Sequence, residues 1–152
     1  MTERGVAVIT GGSSGLGLSM ARRLARDGYA LALLARQTGP LETAAAETQA
    51  HGAETFVLPC EVTCHDQMIH AAQETRTRFG RVDFLIVNAG VIYPGLVEDI
   101  DRIDDLKAHI EINLWGAVLT VRTFAPLLTH GGRILFVSSG FRKGRPPCRL
   151  CA

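Results

Sequence analysis

Residues 6–28 constrain the fold of this chain more than any other stretch. Val6-Ala-Val-Ile9 is continuously apolar and Thr10-Gly-Gly-Ser-Ser-Gly-Leu-Gly17 is rich in glycine and serine. Leu16, Met20, Leu24 and Ala25 then recur at helical spacing until Gly28. This predicts a strand, a tight loop and a helix. Glycines at such a junction let the backbone turn sharply, approach a diphosphate closely and pack the helix against the strand. The free N–H groups and positive dipole end of the helix then face whatever the loop holds, which makes an anion site. A plain strand-to-helix turn could use the same glycines, so residues beyond the loop must decide between the two. No Gly-Lys-Ser/Thr comes after the glycines, which excludes a P-loop for nucleoside triphosphates.

The alternation continues along the chain. Residues 29–35, 54–58, 82–87 and 133–137 read as apolar strands, and residues 41–50, 66–79 and 103–128 as helices, with Pro126 at a C-terminal turn or kink. Five strands, apolar through their whole length and separated by helices, predict a parallel sheet covered on both faces, a doubly wound α/β architecture. At 152 residues one domain is expected. Residues 140–152 break the pattern, with four positive charges, two prolines and no helical period. The domain is therefore expected over 1–139, with an irregular tail over 140–152.

Charge and cysteines narrow the function classes. Sixteen Lys and Arg against fifteen Asp and Glu give a net charge of +1 with no basic block, which argues against a nucleic-acid partner or an anionic membrane surface. No charge-free run approaches the ~20 apolar residues of a membrane span. The N-terminus has no secretory pattern, so a cytoplasmic protein is expected. The spacing of Cys60, Cys64, Cys148 and Cys151 could be read as a zinc site, but reduced thiols that bind no metal fit the context better.

At the end of the second strand stands Ala35-Arg36, about twenty residues past the last loop glycine. An acid there selects the free ribose of NAD, whereas an arginine accommodates the 2′-phosphate of NADP. NADP is favoured, with Arg36 as a solvated residue at a strand end as the plain alternative. A methyltransferase-like fold would usually want an acid at this point.

Thr-Gly-x-x-x-Gly-x-Gly at 10–17, Asn88-Ala89-Gly90 after the fourth strand, Asn113 within Ile-Asn-Leu-Trp-Gly and Ser138-Ser139 after the fifth occur in one order. Together they resemble the short-chain dehydrogenase/reductase family, over residues 5–141. The resemblance implies a Rossmann-like doubly wound sheet and an oxidoreductase that transfers hydride between NADPH and a small carbonyl or alcohol substrate. It implies that Gly11, Ser13, Ser14, Gly15, Leu16 and Gly17 line the cofactor phosphates. Arg36 would meet the 2′-phosphate, Glu61 and Val62 the adenine, and Asn88, Ala89 and Gly90 would sit beneath the cofactor. Glu61 departs from the family's usual aspartate.

By the same resemblance Ser139 holds the substrate oxygen and Asn113 positions a relay water. The plain alternatives are a strand-end turn for Ser139 and a buried helix residue bonded to backbone for Asn113. The family's proton-donating tyrosine, and the lysine four residues after it, match nothing. The tyrosines of the sequence are Tyr29 and Tyr93, and its lysines are Lys107 and Lys143. The expectation is thus a sheet truncated after the fifth strand, catalytically incomplete, with the family's homo-oligomer interface lost. A non-catalytic NADP(H)-binding module, or an unstable fragment without independent function, is the alternative. The tail has the pattern of an out-of-frame segment, since one choice of codons for residues 148–152 reads Ala-Gly-Tyr-Ala when shifted by a nucleotide. Residues 91–96 would form a partial substrate wall, with a faint likeness to reductases of long-chain 3-keto compounds.

Overall fold

A computed structural model describes residues 5–93 and 103–138. Five strands form one parallel sheet: β1 (Val6–Thr10), β2 (Ala30–Ala35), β3 (Thr55–Pro59), β4 (Val82–Val87) and β5 (Leu128–Phe136), in the order β3-β2-β1-β4-β5. Between them run α1 (Gly15–Arg26), α2 (Thr38–Gln49) and α3 (His65–Phe79). A longer helical stretch then combines α4 (Ile103–Ala108), a π-helical segment (His109–Trp115), α5 (Gly116–Phe124) and a 3-10 turn (Ala125–Leu127). No helix among the described residues is long and apolar enough to cross a membrane.

The strands are apolar throughout because alternate side chains enter two different cores. Ala7, Ile9, Leu31 and Leu33 pack with Ala21, Leu24 and Ala25 of α1 and with Leu41 and Ala44 of α2. Val8, Ala32, Leu34 and Leu85 pack with Met68, Ala71 and Ala72 of α3 and with Phe124 of α5. Arg22 of α1 pairs with Glu47 of α2 at 2.5 Å, so this residue of the polar face also joins two helices.

The predicted elements are all present, with three differences in their bounds or form. The second helix begins at Thr38, before the apolar periodicity starts, because Pro40 sits in its first turn, where a missing N–H costs nothing. The helical stretch after residue 103 is interrupted by the π segment, from which His109 and Asn113 bond the backbone of Tyr93 and Val91. The fifth strand begins at Leu128 and carries an irregularity: Val82 pairs with Leu128, yet Phe84 pairs with Arg133. Residues 129–132 thus stand opposite the single residue Asp83, and Gly131 takes φ +88° within them.

Asp83 secures this irregular end of the sheet. Its carboxylate accepts the Val6 N–H at 2.8 Å, the Arg81 Nε–H at 2.9 Å and the Thr129 hydroxyl at 3.0 Å, joining the starts of β1, β4 and β5. Burial pushes its pKa up, but the Val6 and Thr129 hydrogen bonds and the Arg81 charge outweigh that and hold it below the ordinary value of 3.8. A carboxyl lowered in the folded state stabilises fully above the unfolded value of about 3.9, and the contribution is lost as pH falls through the lowered folded value. Asp83→Ala is expected to cost about 1–3 kcal/mol at pH 7, chiefly by orphaning the Val6 N–H. Urea melts at pH 7 and pH 3 check this, since the gap between the two proteins should narrow at the lower pH.

Candidate functional site

The sheet order reverses between β1 and β4, which leaves a crevice at the carboxyl ends of the two strands, the place where open α/β sheets bind ligands. A cleft of about 260 Å³ occupies it. Its lining brings together Gly11, Ser13 and Ser14 after β1, Arg36 after β2, Glu61 and Val62 after β3, and Ala89 and Gly90 after β4. Four loops separated in sequence thus converge because their strands are parallel and end at one edge.

The glycine loop is shaped by close approach. A Cβ on Gly17 would collide with the Gly11 carbonyl and lie 2.6 Å from the Asn88 side-chain nitrogen, and Gly17 is buried. Gly11, at φ +67°, has the Asn88 amide 2.9 Å from where its Cβ would be. Gly15 differs: at φ +54° it has nothing within 4 Å of a Cβ, and it opens α1. Ser14 is the N-cap of α1 but its side chain makes no capping hydrogen bond, and the first turn holds no acid. The start of the helix therefore offers N–H groups and a positive dipole end that no side chain of its own consumes. Leu16 and Gly17 belong to this first turn without lining the cleft, Leu16 being exposed.

Asn88 acts on the protein rather than on the cleft. Its Nδ2 donates to the Thr10 carbonyl at 3.0 Å and the Gly11 carbonyl at 3.3 Å. The buried Thr10 hydroxyl accepts the N–H groups of Asn88 and Ala89 at 3.0 and 3.1 Å. The end of β4 is thereby sewn to the glycine loop, and Ala89-Gly90 becomes the floor of the cleft.

Asn113 lies in the π segment and clamps the next residue of that floor. Its Oδ1 accepts the Val91 N–H at 2.8 Å and its Nδ2 donates to the Val91 carbonyl at 2.9 Å, while its Oδ1 lies 3.2 Å from where a Gly90 Cβ would be. Asn113 is bonded to backbone but is exposed, not buried. One turn earlier His109 Nε2 accepts the Tyr93 N–H at 3.0 Å, and the two rings meet edge to face at 5.2 Å. Nε2 can accept only with the proton on Nδ1, which faces the Asp105 carbonyl at 2.9 Å.

Of the remaining lining residues, Val91 falls in the expected partial substrate wall, whereas Ala35, Gln37, Cys60 and Ile112 were given no role in the site although each adjoins a residue the sequence singled out. Adjacency was the only signal for them. Cys60 is buried with its sulfur 3.9 Å from the Met68 sulfur, and burial first, then Glu61 and Cys64, push its thiol up to about 11. It is a neutral thiol at pH 7. Ser139, Lys143, Cys148 and Cys151 lie outside the described residues.

Two glycines of one loop should respond differently to the same change. Gly17→Ala is expected to destabilise the fold by at least about 2 kcal/mol, because backbone faces its Cβ, whereas Gly15→Ala should cost only about 1 kcal/mol for its positive φ. Thermal or urea melts of the two variants without added nucleotide provide the comparison.

A family model described as short chain dehydrogenase matches residues 5–148. The 11-beta-hydroxysteroid dehydrogenase A of Sesamum indicum is 35% identical over 136 residues, 88% of this chain and 39% of that protein. The fatty acyl-CoA reductase of Acinetobacter baylyi is 35% identical over 137 residues, 88% of this chain and 46% of that protein. The chain thus spans less than half the length of these relatives. Among solved structures, an alcohol dehydrogenase from the archaeon Thermococcus sibiricus complexed with 5-hydroxy-NADP superposes with a TM-score of 0.82 at 39% identity, covering 87% of this chain and 57% of that one. A Serratia marcescens short-chain dehydrogenase/reductase superposes with a TM-score of 0.84 at 27% identity, covering 90% of this chain and 56% of that one.

Proposed function

Because the chain belongs to the short-chain dehydrogenase family, we propose that its 152 residues form the NADP(H)-binding part of an oxidoreductase acting on a carbonyl or alcohol substrate. The observation that carries this reading is the convergence of the uncapped α1 start and Arg36 on one cleft at the β1–β4 crevice. The residues fit a dinucleotide. Gly15 leaves room for a diphosphate, the first turn of α1 presents N–H donors, and Arg36 is the one cation lining the cleft among the described residues. The Thermococcus sibiricus structure, with its bound 5-hydroxy-NADP, supports the choice of cofactor class.

In this reading Gly11, Ser13, Ser14, Gly15, Leu16 and Gly17 hold the diphosphate, and Arg36 meets the 2′-phosphate. Glu61 and Val62 border the adenine, and Asn88 holds Ala89 and Gly90 in place beneath the ribose and nicotinamide. The bound cofactor would supply the hydride. Asn113 keeps the Val91 wall fixed, and Ser139 is assigned to the substrate oxygen. The reduced carbonyl must also receive a proton, and no tyrosine is placed to give one. Tyr29 packs against the core on the α1 side, and Tyr93 stands against His109 outside the cleft lining. Lys107 pairs with Asp104 at 3.6 Å. We therefore assign binding without turnover to these 152 residues, and a domain over 1–139 with an irregular tail over 140–152. We also assign the chain to the cytoplasm, where the free thiols of Cys60 and Cys64 stay reduced.

Calorimetric titration tests the reading. NADPH should bind, Gly15→Val should abolish binding, and Arg36→Ala should lower the NADPH/NADH affinity ratio by a charge-assisted contact of about 1.5–3 kcal/mol. The same preparations should reduce no ketone above the buffer rate. Folded protein without NADPH affinity overturns the nucleotide assignment. Ketone reduction that Tyr93→Phe removes would overturn the assignment of no turnover.

A further inference from the structure

Glu61 is the acid of the cleft lining, and it stands beside the cation that the proposed function assigns to the 2′-phosphate. The sheet register explains the pairing: Ala35 of β2 is level with Pro59 of β3, so Arg36 and Glu61 emerge side by side from the ends of neighbouring strands. Arg36 Nε lies 3.8 Å from Glu61 Oε2, close enough for an ion pair but beyond a hydrogen bond. The Arg36 side chain is 66% exposed and that of Glu61 only 31% exposed, so the arginine is the more solvated member.

The backbone of Glu61 is held in place. Its N–H donates to Gln67 Oε1 at 2.7 Å, and its carbonyl accepts the Cys64 N–H at 2.9 Å. Its neighbours Cys60 and Val62 are both buried, and Val62 packs against Gly116 of α5. A 2′-phosphate that reaches Arg36 therefore arrives beside a carboxylate carried on this held backbone, bringing a charge of about −1.5 to −2. The carboxylate both occupies the arginine before the nucleotide arrives and repels the phosphate afterwards. A nucleotide with a free 2′-hydroxyl meets neither penalty.

We propose that Glu61 is a specificity-determining residue: paired with Arg36, it restrains the preference for 2′-phosphorylated nucleotide and leaves the cleft open to NADH as well as NADPH. This rests on the reading of Arg36 as the 2′-phosphate contact. Two charges a few ångströms apart in a partly exposed cleft interact by an amount equivalent to about 3- to 10-fold in affinity, and salt reduces it.

The test is a calorimetric titration of the full chain and its Glu61→Gln, Glu61→Asp and Arg36→Ala variants with NADPH, NADH and adenosine 2′,5′-bisphosphate. It is run at low and at physiological salt. Glu61→Gln should raise the NADPH/NADH affinity ratio about 3- to 10-fold, raise the affinity for the bisphosphate in parallel, and do so more at low salt. Glu61→Asp, which keeps the charge, should leave the ratio near that of the unaltered chain. If Arg36→Ala lowers the ratio while Glu61→Gln leaves it unchanged or lowers it, the inference about Glu61 fails alone. The same holds if Glu61→Asp raises the ratio as much as Glu61→Gln, which would make length rather than charge the cause. If Arg36→Ala leaves the ratio unchanged, the reading of Arg36 fails and takes this inference with it.

Discussion

The start of α1 lies so close to the end of β1 that no side chain fits between them at Gly17, and the site is built outward from that approach. Closeness here aims the first turn of the helix into the crevice. It also brings the Thr10 and Gly11 carbonyls within reach of the Asn88 amide, which carries the end of β4 with it. One contact therefore positions two of the four loops that line the cleft. The other two follow from the parallel register of β2 and β3, which brings Arg36 and Glu61 to the same rim. The cost is conformational: Gly11 and Gly15 hold positive φ values that other residues rarely adopt.

The parts of this arrangement visible in the sequence are those encoded by local residue choice. Continuous apolar runs marked the strands because both faces of the sheet are covered. The glycine loop marked the crevice because only glycine tolerates its approach distances. The limits of such reading show at β5, where residues 129–132 are absorbed as an irregularity fixed by Asp83, a partner 46 residues away for Thr129. The Arg36–Glu61 pair was hidden for the same reason. Each residue could be singled out by its own position, but their opposition depends on strand register, which no local pattern states.

Asn113 illustrates a different limit. Its side chain, and that of His109 one turn earlier, reach the backbone of residues 91–93 from a helix that departs from α geometry over His109–Trp115. A π turn adds a residue to the helical circuit, and such turns recur at functional sites. Here it coincides with two side chains that must both serve a neighbouring loop. Residue composition alone predicts an unbroken helix, since nothing in Ile-Asn-Leu-Trp-Gly breaks one. The position of Asn113 was legible only through resemblance, and its bonds only through the structure.

Burial is distributed unevenly around this framework, and the unevenness bears on what the chain can do. β1 and β2 are buried almost throughout, between α1 and α2 on one face and α3 on the other. On the far side Ile110, Leu114, Trp115 and Val118 are exposed, as are Ile134, Leu135 and Phe136 of β5 and Val137 just after it. Asn113, Leu114, Val118 and Phe136 share an apolar hollow of about 560 Å³. Each large apolar side chain left in water forgoes about 1.5–3 kcal/mol, against a total domain stability of about 5–15 kcal/mol. Among the described residues burial is densest in β1 and β2, whose ends carry the glycine loop and Arg36. The helix carrying Asn113 and the strand leading to Ser139 carry these exposed apolar side chains. In the proposed reading the diphosphate and 2′-phosphate contacts lie on the densely buried strands, whereas Asn113 and β5 belong to the more exposed side.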